Sequence, residues 1–423
     1  MKTTTRNLAR GRLCVALALV AGLCLTSMAQ GQTYTVLHNF SHGPDGGLPE
    51  GGLTMDAEGN LYGTAVAGGR TGGNCGPYGC GTVFKLSSSL VLTPIYLFQG
   101  GTDGSAPGPA ILRPNGILYG VTTIGGGNGC TGSGCGTVFS LTPPDCTSCV
   151  WKETVLYRFT GGIDGSGPGG SLTSDASGNL YGTTGAGGAH GYGVVYELSP
   201  FGGGWTESVL YSFTGGDDGR GPQAGVIFDQ AGNLYGTTIL GGSYSDGTVF
   251  RLTPSGSAWS ETTLHSFQGS DGANPYGGVI LDQSGNFYGP AAFVGPHGAG
   301  TVYELTQAGG AWSLTVPLPY AFSISPGQMP GEGPGPTLAM DAAGNLYGTT
   351  YSIGLHDFGT VFKLTRSNGS WTETDLYDFT GGSGDGGYPS PYANVILDSR
   401  GNVYGTAEEG GTYDWGVIFK ITP

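Results

Sequence analysis

Residues 178–183 read Gly-Asn-Leu-Tyr-Gly-Thr, and the phrase returns with small changes around Tyr62, Tyr119, Tyr235, Tyr288, Tyr347 and Tyr404. Successive motif tyrosines stand 57, 62, 54, 53, 59 and 57 residues apart, so the chain holds seven units. A period of this length marks a repeat architecture, in which each unit buries its apolar face against its neighbours. The third unit resolves into four short segments rich in β-branched and aromatic residues, 171–175, 179–184, 194–198 and 206–213. Between the first two lies Asp-x-x-Gly-Asn, found at Asp56, Asp175, Asp229, Asp282, Asp341 and Asp398. Asp can bond its own downstream backbone and Gly accepts positive φ, so this spacing predicts a tight hairpin. A Pro/Gly/Ser turn leads from the third segment into Trp-x-Glu-Thr at Trp151, Trp205, Trp259 and Trp371, with a looser copy at Trp312. No segment carries a 3.6-residue apolar period, so almost no helix is expected.

Four antiparallel strands per unit at this period predict an all-β fold, a seven-bladed β-propeller. The chain ends predict how it closes. Residues 33–40 match a fourth strand, as comparison with Thr154–Phe159 shows, and residues 416–421 match a third. The N-terminal strand therefore completes the last blade and leaves no unpaired edge at the seam.

Composition agrees with a repeat-built β-protein. Glycine (87) and proline (25) make up about a quarter of the 423 residues, and only the periodicity separates this chain from a disordered one. Charged residues are 11%, which excludes coiled coils, and 15 Lys+Arg cannot track a phosphate backbone, so no nucleic-acid partner is expected. Lys2, Arg6, Arg10 and Arg12 precede an apolar run at 13–25, too short to span a bilayer, and Ser27-Met28-Ala29 offers a cleavage site. Residues 1–29 thus read as a signal peptide and 30–423 as a single propeller domain. The expectation is a secreted or periplasmic monomer with no membrane insertion and a net charge that moves from −15 to −19 on cleavage. Six cysteines remain, and spacing pairs them as disulfides Cys75–Cys80, Cys130–Cys135 and Cys146–Cys149, with zinc ligation as the rival reading.

The repeat Gly-x-Leu-Tyr-Gly-Thr-Thr-x-x-Gly-Gly…Gly-Thr-Val-Phe-x-Leu, followed by Thr-Val-Leu-Tyr-x-Phe-x-Gly-Gly-x-Asp-Gly-x-x-Pro, resembles the GloVer tandem repeat of the choice-of-anchor exported bacterial proteins. The resemblance covers residues 33–423. It implies export, a repeat-built β-structure and no established catalytic role.

Strand parity decides where function can sit. The first-to-second and third-to-fourth turns share one face of the ring, and all are short. The second-to-third loops and the blade-to-blade loops share the other, so a binding surface is expected there. Nine residues after the motif tyrosine of units 3 to 7 stand His190, Tyr244, His297, His356 and Tyr413, and two further on come Tyr192, Asp246, Ala299, Phe358 and Trp415. These rings, with Asp357, Glu408, Glu409 and Asp414, suit stacking on and hydrogen bonding to a sugar. They would equally serve to pin each glycine-rich loop onto its blade. The ligand-binding set read from this pattern is Trp415, Tyr413, Asp414, His356, Phe358 and Tyr244, with Trp415 as the platform and outside any blade core. Tyr78 faces it across the seam.

The histidines sit in separate units and do not suggest a metal site. His38 and His265 replace a strand tyrosine and read as structural, while nothing singles out His42. The repeated Asp-Gly of the blade-to-blade loops, at Asp45, Asp103, Asp164, Asp218, Asp271 and Asp385, is first a turn signal. Its alternative is a ring of carboxylates binding Ca2+, and no other cofactor is expected. No Gly-x-Ser-x-Gly, His-Glu-x-x-His or phosphate-loop motif occurs, so no catalytic residue is assigned. The expected function is binding of a glycan or envelope polysaccharide. The alternatives are a polysaccharide-degrading glycosidase or lyase, and a protein-interaction scaffold.

Overall fold

The computed structural model describes residues 32–127, 129–146, 149–256, 258–295, 298–316, 333–389 and 393–423. The expected signal peptide and His297 lie outside them. Among the described residues seven antiparallel sheets form the ring of a seven-bladed β-propeller. Among the described residues helix is limited to two 3-10 turns, Gly73–Cys75 and Cys130–Gly132, and no helix is long and apolar enough to cross a membrane. The last blade runs Thr33–Asn39, Val417–Thr422, Val403–Ala407 and Ile396–Leu397 in space, so the N-terminal strand closes the ring as expected. Its register carries Thr33 opposite Thr422 and Asn39 opposite Val417. Tyr34 seats the strand against blade 6 by stacking on Tyr377 at 3.8 Å.

Blade 2 has a long first strand, Ser105–Leu112, but the first strand of most other blades is shorter than the sequence pattern predicts. In blades 4 to 7 it is two residues, and in blade 3 it divides into Ser166–Pro168 and Thr173–Ser174. The cause is crowding at the axis, where neighbouring first strands touch through backbone. A Cβ at Gly225 would fall 2.1 Å from the Ser171 carbonyl, and one at Gly277 would fall 1.5 Å from that of Pro336.

Two recurring devices hold blade to blade. In six of the seven blades, among the described residues, a phenylalanine ending the fourth strand packs edge-to-face on the third-strand ring of the next blade. The pairs are Phe40–Phe84, Phe98–Phe139, Phe159–Tyr196, Phe213–Phe250, Phe267–Tyr303 and Phe379–Phe419, at 5.0–5.4 Å. Each adds about 1 kcal/mol beyond its buried area. The motif glycine makes room for that third-strand ring, since a Cβ at Gly236 would lie 2.6 Å from Phe250 Cζ. The second device is a proline seated on the glycine that opens the previous blade's third strand, as Pro222 sits on Gly193 and Pro49 on Gly416. Between these seats, second-strand threonines donate to carbonyls of the following blade, among them Thr237 to Gly277 (2.8 Å) and Thr406 to Pro49 (2.8 Å).

The Asp-x-x-Gly-Asn hairpins form as expected and gain a partner the spacing did not show. Asp229 accepts from the Asn233 backbone (2.9 Å), the Asn233 side chain (2.7 Å) and the hydroxyl of the motif Tyr235 (2.9 Å). The motif tyrosine therefore locks the turn that precedes it. All three disulfides pair as predicted; Cys80 and Cys135 are buried, and Cys146–Cys149 is exposed.

Candidate functional site

The long-loop face is built from the outside inward. Its outer ring holds the Asp-Gly carboxylates, and each has its partners within its own turn. Asp164 accepts from Tyr157 (3.2 Å), the Thr160 backbone (2.7 Å) and the Thr160 hydroxyl (2.6 Å). Asp218 repeats this with Tyr211 and Thr214, and Asp385 with Tyr377 and Thr380. His38 and His265 take the tyrosine's place against Asp45 and Asp271, at 3.1 and 2.9 Å.

A second set of carboxyls lies nearby; three of them neighbour these aspartates, Glu153 by Asp103, Glu207 by Asp164 and Glu261 by Asp218, while Glu373 neighbours Asp375 of its own strand. Glu153, Glu207, Glu261 and Glu373 share one register position on the fourth strand, each opposite a third-strand leucine. Burial pushes all four up to about 7, with the neighbouring aspartate adding to the effect in each. In the blades that follow His38 and His265 the same register holds Leu92 and Leu314 instead. A carboxyl raised from 4.5 to about 7 stabilises the fold below its unfolded value and loses that contribution as pH rises through 7. Burial alone would raise the hairpin carboxyl Asp229 as well, but its bonds from Asn233 and Tyr235 hold it below the usual range. Its contribution, and that of the likewise lowered Asp56, Asp282, Asp341 and Asp398, is lost only as pH falls below about 4. Stability is therefore expected to peak between pH 4 and 6, with each seam glutamate worth about 1 kcal/mol after screening. Chemical unfolding at pH 5.5 and pH 8 checks this. The wild type should be more stable at the lower pH, and replacement of all four glutamates by Gln should flatten the difference.

The residues expected to bind ligand fall into three places. Tyr244 stands on blade 4, 60% exposed, apart from the others. On blade 6, His356 is tied to Asp378 (3.1 Å), and Phe358 packs on Tyr388, which in turn meets Tyr351. Tyr351 donates to the buried carboxylate of Glu408 on blade 7 (2.8 Å). At the seam between blades 7 and 1, Trp415 stacks on His42 at 3.8 Å and 13°, and it closes over Gly47. Trp415 is therefore half-buried in a seam rather than free on a loop, because His42, which carried no signal in the sequence, occupies one face of its ring. Asp414 turns back to accept from the Gly410 backbone (3.1 Å). Tyr413, two residues before Trp415, is 58% exposed, and Tyr78, whose carbonyl meets His42 at 3.1 Å, is 69% exposed. Trp415→Ala is expected to lower stability by about 2 kcal/mol, measured by urea unfolding, and not to leave the fold untouched.

Nearer the axis, the residue after each seat proline lines the mouth of the central channel. That position is Glu50, Gly108, Gly169, Gln223, Tyr276 or Gly335 in blades 1 to 6. Glu50 and Gln223 bound a cavity of about 340 Å³ whose other walls include Val66, Pro107, Pro109 and Thr123. A second cavity of about 200 Å³ lies among the first strands and shares Pro109, Gly169 and Gln223. Burial pushes the Glu50 carboxyl up to about 7. Sequence reasoning missed Glu50 and Gln223 because the repeats were aligned on the motif tyrosine; alignment on the seat proline brings them together.

Comparisons with known proteins agree with this architecture. No curated protein matches the chain by sequence. Among solved structures, the chain is similar to the extracellular domain of a candidate one-component system from B. thetaiotaomicron, with 10% identity over 92% of this chain and 40% of that one and a TM-score of 0.51. It is also similar to a gluconolactonase from Xanthomonas campestris, with 13% identity over 92% and 89% of the two chains and a TM-score of 0.41. At these identities the likeness speaks to the fold alone. The Gloeobacter/Verrucomicrobia repeat pattern matches residues 21–175, 128–333 and 241–423, which together span nearly the whole chain. With seven such units closed into one ring, the protein belongs to the Gloeobacter/Verrucomicrobia repeat family.

Proposed function

We propose that this is an exported binding protein whose long-loop face holds a glycan. The observation that carries the reading is the seam between blades 7 and 1. There two exposed tyrosines, Tyr413 and Tyr78, stand in the loops that carry a stacked, half-buried Trp415–His42 pair. Rings held in place offer apolar contact to a sugar face at little entropic cost, and their hydroxyls supply hydrogen bonds. Three disulfides, two of them beside this face, suit an oxidising compartment. The test is a glycan array probed with the purified protein and with a Tyr78→Ala/Tyr413→Ala double variant. The wild type should retain at least one oligosaccharide class, and the double variant should weaken it about tenfold, or 1.4 kcal/mol. Failure of the wild type to retain any glycan overturns the reading.

A further inference from the structure

We propose that the cavity at the channel mouth takes a single neutral sugar unit, with Glu50 and Gln223 as its two hydrogen-bonding walls. The inference rests on the reading of the long-loop face as glycan-binding, and it assigns where the end of the glycan goes. The cavity's volume, about 340 Å³, lies within the range of small-molecule sites. Its walls are mostly apolar or backbone, with a few polar side chains, which is how such sites fix orientation. Among the described residues neither the Glu50 carboxyl nor the Gln223 amide has a hydrogen-bond partner, so both are available to a ligand.

The same repeat position creates the space and furnishes it. Gly108 and Gly169 leave out side chains where Glu50 and Gln223 place them. Among the described residues Glu50 is the one titratable group lining the cavity. On the flanking elements Glu408 is held by Tyr351, and His42 is stacked on Trp415. With burial lifting it to about 7, the Glu50 carboxyl holds its proton through mildly acidic conditions and can both donate and accept. No basic side chain lines the cavity. A carboxylate-bearing sugar would therefore find no counter-charge, while neutral hydroxyls find two donor groups, the Glu50 O–H and the Gln223 NH2, and the two carbonyl acceptors of the same side chains.

The experiment compares wild type, Gly169→Leu, Glu50→Ala and Glu50→Gln at pH 6, using neutral and uronic-acid-containing oligosaccharides by titration calorimetry. Gly169 accepts a side chain without backbone collision, since a Cβ there meets only the Gln223 carbonyl at 3.4 Å. Leucine at that site should fill the cavity and weaken neutral-oligosaccharide binding at least tenfold with little change in thermal midpoint. Glu50→Ala should weaken it similarly, and Glu50→Gln should retain most of it. If Gly169→Leu fails to fold, the two Glu50 variants decide the matter. Wild-type binding left intact by Gly169→Leu and Glu50→Ala would overturn the cavity site while the glycan-binding surface stands. Preference for the uronic-acid oligosaccharide would overturn the neutral-sugar assignment. If the wild type binds no oligosaccharide, the surface reading fails and this one falls with it.

Discussion

Deleting Thr33–Asn39 should abolish cooperative unfolding and drive the protein into soluble aggregates. The strand closes the last blade, and without it Val417–Thr422 presents an open edge to other chains. The deletion also removes the Tyr34–Tyr377 stack and uncovers Phe419, which is fully buried. Loss of these contacts together should cost about 5 kcal/mol or more. Size-exclusion chromatography and thermal unfolding of the deletion report both effects. A soluble protein with an unchanged transition would mean that the ring does not depend on its N-terminal strand.

The second large effect is expected at a proline seat. Gly193 and Gly178 both sit at positive φ, near +95° and +93°. An alanine at either position bears the left-handed strain, about 1 kcal/mol. At Gly178, in a hairpin tip, a Cβ meets nothing within 4 Å. At Gly193 it would lie 2.3 Å from the Thr184 carbonyl and 2.7 Å from Pro222 Cδ. Gly193→Ala should therefore destabilise by about 4 kcal/mol or more and Gly178→Ala by about 1 kcal/mol. Equal losses in urea unfolding would show that the seat yields freely and that the strain is backbone alone.

What could be read from sequence divides along a physical line. Strands, hairpins and ring closure depend on local alternation, on turn residues and on the match of residues 33–40 to a fourth strand, and all of these are visible in one dimension. The disulfide pairs close short loops, so spacing sufficed there too. Contacts between blades were not visible. His42 and Trp415 lie at opposite ends of the chain and meet only because the ring closes, so Trp415 read as a free platform and His42 as nothing. Glu50 and Gln223 stand out from their repeat equivalents only when the units are aligned on the seat proline rather than on the motif tyrosine. Outside blade 2, most first strands came out short for a related reason. Their crowding at the axis is set by neighbouring blades, not by their own residues.

Hydrogen–deuterium exchange with a saturating neutral oligosaccharide tests most directly whether the long-loop face is the binding face. The account predicts protection in residues 41–52 and 405–416, which carry Glu50, the Trp415–His42 stack and Glu408. It predicts no change in the Asp-x-x-Gly-Asn hairpins at 56–60 and 229–233 on the opposite face. Protection confined to those hairpins, or saturating binding with no protection in either long-loop segment, would contradict it.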